Sequence, residues 1–170
     1  ISSAIKAIRD GYVIIAPLEN GYALLADAFF HDAVRALHAL RGDSLGTAAQ
    51  VLIPAPKTLE GIAREITEDI TKLTSAFWPG LLSLSVKPQR GLNWDLGDEQ
   101  KLDQISVRVP SIGFVHSVLQ ESGPLAVASA SVAGSSATIK SGDIKFSENE
   151  VALIFDSGDI SPTLPSTVVE

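Results

Sequence analysis

The strongest constraint on this chain lies in residues 12–29, YVIIAPLENGYALLADAF. An apolar run from 12 to 16 stops at Pro17. Leu18, Glu19, Asn20 and Gly21 follow, and a second apolar run fills 22 to 26. Short apolar runs bounded by turn formers predict buried strands. Two of them this close predict strands that share one sheet. In α/β proteins the break at the end of such a strand is where binding and catalysis sit. This break offers one carboxylate, Glu19, and one amide, Asn20.

The rest of the chain alternates in kind. Residues 1–9 predict a short helix stopped by Gly11. Asp32 is expected to cap a helix running to Leu40, with Val34, Leu37 and Leu40 on one face. RGDSLGTAA, 41–49, reads as a loop, and residues 50–53 as a strand ended by Pro54. Thr58 opens a predicted helix with Ile62, Ile66, Ile70, Leu73 and Phe77 on one stripe. Trp78-Pro79-Gly80 ends it. Leu82, Leu84 and Val86 alternate with Ser83, Ser85 and Lys87, the pattern of a half-exposed strand. Residues 88–104 are polar and read as a surface loop. A strand over 105–109, a helix over 111–122 and a strand over 125–128 come next, then the small-residue loop SASVAGSSAT. The last clear strand covers 151–155. Strands and helices alternate throughout, so the expected fold is α/β, one domain over 1–170, with a twisted mixed open sheet and flanking helices.

Composition narrows the function. The chain has 170 residues and no Cys, which removes disulfides and thiolate metal sites. A net charge of −7 repels nucleic acid on average. No apolar run is long enough to span a membrane, and ISSAIKAIRDG is charged where an export signal would be greasy. A cytoplasmic protein with no membrane contact is the expectation. His31 and His38 fall seven apart on one helical face, but without a third ligand they predict no metal site. GDS and SGD are not phosphate loops of the Walker kind, because no Gly-Lys-Ser/Thr follows.

Six motifs, in order, carry a resemblance. They are PLENGYALL (17–25), RGDS (41–44), FWPGLLSLSV (77–86), RVP (108–110), SASVAG (129–134) and PSTVV (165–169). Their order resembles the YrdC domain, whose best-known members are threonylcarbamoyl-AMP synthases. In that family the landmarks run Pro-Thr-x-Thr-x-Tyr-Gly-Leu, Lys-Gly-Arg-Pro, Phe-Trp-Pro-Gly-Pro-Leu-Thr, Arg-x-Pro, Ser-Ala-Asn-x-Ser-Gly and Ser-Thr-Val-Val. The resemblance implies a cleft that joins ATP, threonine and bicarbonate, with cations to stabilise the departing pyrophosphate. It implies a nucleotide and substrate cleft built from Glu19, Asn20, Tyr22, Arg41, Arg108, Ser129, Ser131, Ser166 and Thr167. ATP or AMP with Mg²⁺ is the implied ligand. Threonine and double-stranded RNA or tRNA are the further implied partners, and a protein partner is the other expectation.

The departures fall where the family does its chemistry. Leu18 and Asn20 stand at the two threonines of the first turn. Arg41 stands at the Lys, and Asp43 at the Arg, which inverts the charge. A carboxylate roughly 4 Å from a phosphate costs on the order of 4 kcal/mol at an effective dielectric of about 20. Ser131 and Ala133 stand at the Asn and Ser of the third loop. Arg41 and Asp43 read as a local ion pair. Arg108 reads equally as a ligand contact and as the partner of an acid. No residue is assigned as catalytic. The substitutions favour a non-catalytic nucleotide- or RNA-binding relative of the threonylcarbamoyladenosine pathway. The alternative is an active synthase with an altered pocket.

Overall fold

The computed structural model describes residues 1–170. Eight strands join one mixed sheet in the order β7-β1-β2-β6-β3-β5-β4-β8. They are β1 Ile14–Leu18, β2 Gly21–Asp27, β3 Gln50–Leu52, β4 Leu82–Val86, β5 Ile105–Arg108, β6 Leu125–Ser129, β7 Leu153–Ile154 and β8 Thr167–Val169. The helices are α1 Ser2–Arg9, α2 His31–Arg41, α3 Leu59–Ile62, α4 Glu68–Phe77 and α5 Phe114–Ser122. β1 turns tightly into β2, so Leu18 pairs with Gly21. β6 lies antiparallel between β2 and β3. β7 and β8 close the two edges, each parallel to its neighbour.

The apolar runs 12–16 and 22–26 are continuous because the sheet is covered on both sides. Ile14, Ala16, Ala23 and Leu25 pack under α1 and α5. Ile15, Tyr22, Leu24 and Ala26 pack on the other face with α2. Further along that second face, Val51, Leu84, Val86, Ile105 and Val107 form a core with α3, Trp78, Trp94 and Leu96.

Four expectations need correction. The helix expected from 58 to 77 is broken. α3 ends at Ile62, Ala63 bridges Pro88, and the N–H of Arg64 donates to the Lys87 carbonyl. Glu65 then takes a left-handed φ of 58°, and the Thr67 hydroxyl caps α4 by accepting the Ile70 N–H. The apolar stripe therefore never forms. Ile66 and Phe77 are exposed, while Ile70 and Leu73 are only half-buried. Second, residues 88–104 are no plain surface loop: Trp94 and Leu96 are fully buried. The Leu96 carbonyl accepts the Ala49 N–H, and Phe29 meets the Trp94 ring edge-on at 5.4 Å. Third, Phe30 and not Asp32 holds the cap position of α2, whose first turn Asp32 occupies beside Arg35. Fourth, the chain forms a strand after 155: β8 pairs with β4, and the Thr167 N–H donates to the Leu81 carbonyl. The strand expected over 151–155 shrinks to two residues.

Candidate functional site

Strand alternation sets the floor of a cleft. On β4 and β5, Leu82, Leu84, Ile105 and Val107 point into one core, so Ser83, Ser106 and Arg108 point to the opposite face. Gln50 pairs with Val127, and Ser129 with Ala23, on that same opposite face. This is the face that α1 and α5 cover over β1, β2 and β6. Beyond those helices its side chains turn polar, and there the surface opens into a hollow of about 290 Å³.

The polar floor is stitched together. The Gln50 amide nitrogen donates to Ser83 Oγ at 2.7 Å and to Ser106 Oγ at 3.0 Å. Ser83, fully buried, donates to Ser166 Oγ at 3.0 Å. Arg108 is 3% exposed. Its Nη1 donates to Glu19 Oε1 at 2.9 Å and to the Gly80 carbonyl at 3.3 Å, while its Nε has no partner. Glu19 also accepts the Ser111 N–H at 2.6 Å. Burial pushes the Glu19 carboxyl up, but Arg108 and the Ser111 N–H outweigh it and hold the group below its ordinary range. The pair thus ties the first turn to the end of β5.

The expected site residues divide. Asn20, Tyr22, Arg108, Ser129 and Ser166 line the hollow together with Leu18. Glu19 stands behind Arg108 as its counter-ion. Tyr22 is held from behind: its hydroxyl donates to the Gly158 carbonyl at 2.6 Å and accepts the Ser157 N–H at 3.0 Å. Its main chain meets residue 138, where Tyr22 N–H donates to the Thr138 carbonyl. Gly21, at φ 144°, has no room for a side chain there, because an added Cβ would sit 3.0 Å from that same carbonyl.

Arg41 lies outside the hollow. Its Nε donates to Asp43 Oδ2 at 3.1 Å, and its Nη1 to the carbonyls of Ser129 at 2.5 Å and Ser131 at 2.9 Å. Asp43 also meets His38 Nδ1 at 2.7 Å, and His38 Nε2 meets the Leu96 carbonyl at 2.7 Å. Burial raises the Asp43 carboxyl, but the His38 and Arg41 contacts bring it below its usual range. The loop 41–43 therefore fastens α2 to the 129–131 loop and to the buried 94–96 segment. Ser131 donates to Ser129 Oγ at 3.0 Å and lines a neighbouring hollow of about 370 Å³ with Thr138 and Lys145. Thr167 belongs to β8 and does not line the cleft.

Gln50, Ser83 and Ser106 were not among the expected site residues. The signal was a polar residue opening an apolar strand, QVLI, and serines that alternation could assign to solvent as readily as to a cleft. No group of three or more His, Asp or Glu is arranged to hold a metal. Glu19 and Asp43 are already paired with cations, so the carboxylates do not fit a resident Mg²⁺.

Comparison with known proteins follows the same lines. Residues 6–170 match the Sua5/YciO/YrdC family profile, described as "Telomere recombination". The Mycobacterium leprae (strain TN) protein named "Putative threonylcarbamoyl-AMP synthase" is 34% identical over 171 residues, covering 100% of this chain and 77% of the relative. Among solved structures, Pyrococcus abyssi Sua5 complexed with L-threonine superposes with a TM-score of 0.88 at 26% identity, over 98% of this chain. The match takes in 49% of that protein, so this chain spans about half of it. Escherichia coli YciO superposes with a TM-score of 0.82 at 25% identity, covering 98% of this chain and 81% of its own.

Proposed function

Because the chain belongs to the Sua5/YciO/YrdC family, we propose that it keeps a cleft for a small ligand but has lost the means to activate a triphosphate. Arg41 carries this reading. It stands where the family resemblance puts a phosphate-binding Lys, yet its guanidinium is spent on Asp43 and on two carbonyls of the 129–131 loop. Asp43, where the family has an Arg, cancels the charge at 3.1 Å. A triphosphate arriving at this wall meets a neutralised pair with its donors occupied, and freeing Arg41 would strand two carbonyls and a buried carboxylate. Arg108 is the remaining cation of the cleft, and Glu19 faces it at 2.9 Å.

The second reading, a threonylcarbamoyl-AMP synthase with an altered pocket, draws on the 34% identity to a relative bearing that name. Pyrophosphate release from ATP, dependent on threonine and bicarbonate, separates the two. The expected outcome is no turnover by the native chain. Turnover of about 1 per second or faster, the ordinary range for enzymes, overturns the proposal. The double variant Arg41→Lys with Asp43→Arg reports on the 41–43 loop, because activity gained only there places the defect in that loop.

A further inference from the structure

Hydrogen-bond direction gives the cleft a chemical polarity. Ser83 receives a proton from Gln50 and passes its own to Ser166, so Ser166 is left with an O–H that no protein acceptor takes. Ser129 accepts from Ser131 and likewise keeps its O–H. Arg108, buried and lining the cleft, has an Nε without a partner. Three uncommitted groups on the polar side are thus donors, and one of them belongs to a cation. An unpaired buried donor is costly, and an anionic acceptor is what relieves it. The Gln50 amide oxygen, with both N–H groups spent on serines, is the acceptor beside them.

The other wall is apolar. Leu18, Ala23, Val127, Ala128 and Ala137 contribute no side-chain polar atom. At about 290 Å³ the hollow lies at the small end of ligand pockets, which run from roughly 300 to 1,000 Å³. We propose that this cleft takes an aliphatic α-amino acid of the valine class, with its carboxylate on the Arg108, Ser129 and Ser166 donors, its ammonium at the Gln50 oxygen, and its side chain against Leu18. This rests on the reading that the cleft still binds a small ligand. A β-hydroxyl turned toward Leu18 would lose its water without gaining a partner, so threonine is the disfavoured isostere.

Isothermal titration of the whole chain with L-valine, L-threonine and L-valinamide tests it. Valine is expected to bind about ten- to a hundredfold more tightly than threonine, the range over which an apolar pocket rejects an added hydroxyl. Valinamide, which lacks the carboxylate, is expected to give no heat. Ser166→Ala should weaken valine about tenfold, and Leu18→Thr should bring threonine level with valine or ahead of it. Threonine binding as tightly as valine in the native chain overturns the apolar wall. Valinamide binding as well as valine overturns the anion seat. No binding by any of the three overturns the inference and the retained cleft together, while pyrophosphate release reports separately on triphosphate activation.

Discussion

At the scale of single residues, the buried Glu19–Arg108 pair sets the sharpest expectation. Its side chains are 15% and 4% exposed, so solvent screens it little. Glu19→Gln removes the counter-ion and leaves a buried guanidinium unbalanced, which costs about 3–5 kcal/mol. The Glu19 carboxyl is held below its ordinary range in the fold. Its contribution is therefore fully present above the unfolded-state pKa and is lost as pH falls through the folded-state value. Urea unfolding of the native chain and Glu19→Gln should differ by that amount at pH 7, and the gap should narrow on acidification below about pH 4. A gap that stays constant with pH would show that Glu19 acts through packing and not through charge. This pair was half legible in the sequence. Charge and a strand-end position marked both residues, but 89 residues separate them, and nothing local says that they meet.

At the scale of elements, amphipathic spacing misled where the chain makes tertiary hydrogen bonds. The stripe Ile62, Ile66, Ile70, Leu73, Phe77 has helical periodicity, yet residues 63–65 leave the helix to bond with 87 and 88. Ile66→Ala is accordingly expected to change stability by no more than about 0.5 kcal/mol. Trp94→Ala, in a segment that reads as polar loop, should cost about 3–5 kcal/mol. Chemical denaturation of the two variants checks both, and equal losses would refute this account of the two segments. The strands fared better, because a run buried on two faces needs no partner to be recognised. β8 escaped for the opposite reason: it is short, exposed and held by an edge, so its apolar content is small.

At the scale of the whole molecule, charge governs encounters. The chain carries −7, and the two arginines nearest the cleft, Arg41 and Arg108, are each paired with an acid. No helix is long and apolar enough to cross a membrane. The resemblance implied duplex RNA as a partner, but a counterion-release mechanism needs exposed, unpaired cations set together. Fluorescence anisotropy of a labelled RNA duplex should show no binding at micromolar protein in about 0.15 M salt. A salt-dependent rise at that concentration would mean that exposed lysines elsewhere on the chain form a tract of their own.

The polar stitching of Gln50, Ser83 and Ser106 also bears on evolvability. A sheet face that carries amide and hydroxyl groups resists being roofed by another helix, since a roof would dehydrate donors that it could not satisfy. The vacancy on that face is thus written into three side chains rather than into the loops around it. Gln50→Leu with Ser83→Ala and Ser106→Ala removes both ends of the two internal bonds together, a change that is close to neutral or stabilising. It leaves Ser166 with one contact fewer. The triple variant should therefore melt at or above the temperature of the native chain while its cleft loses affinity, a trade of function against robustness. A fall of several degrees in melting temperature would instead make the stitching part of what holds β3, β4 and β5 in register.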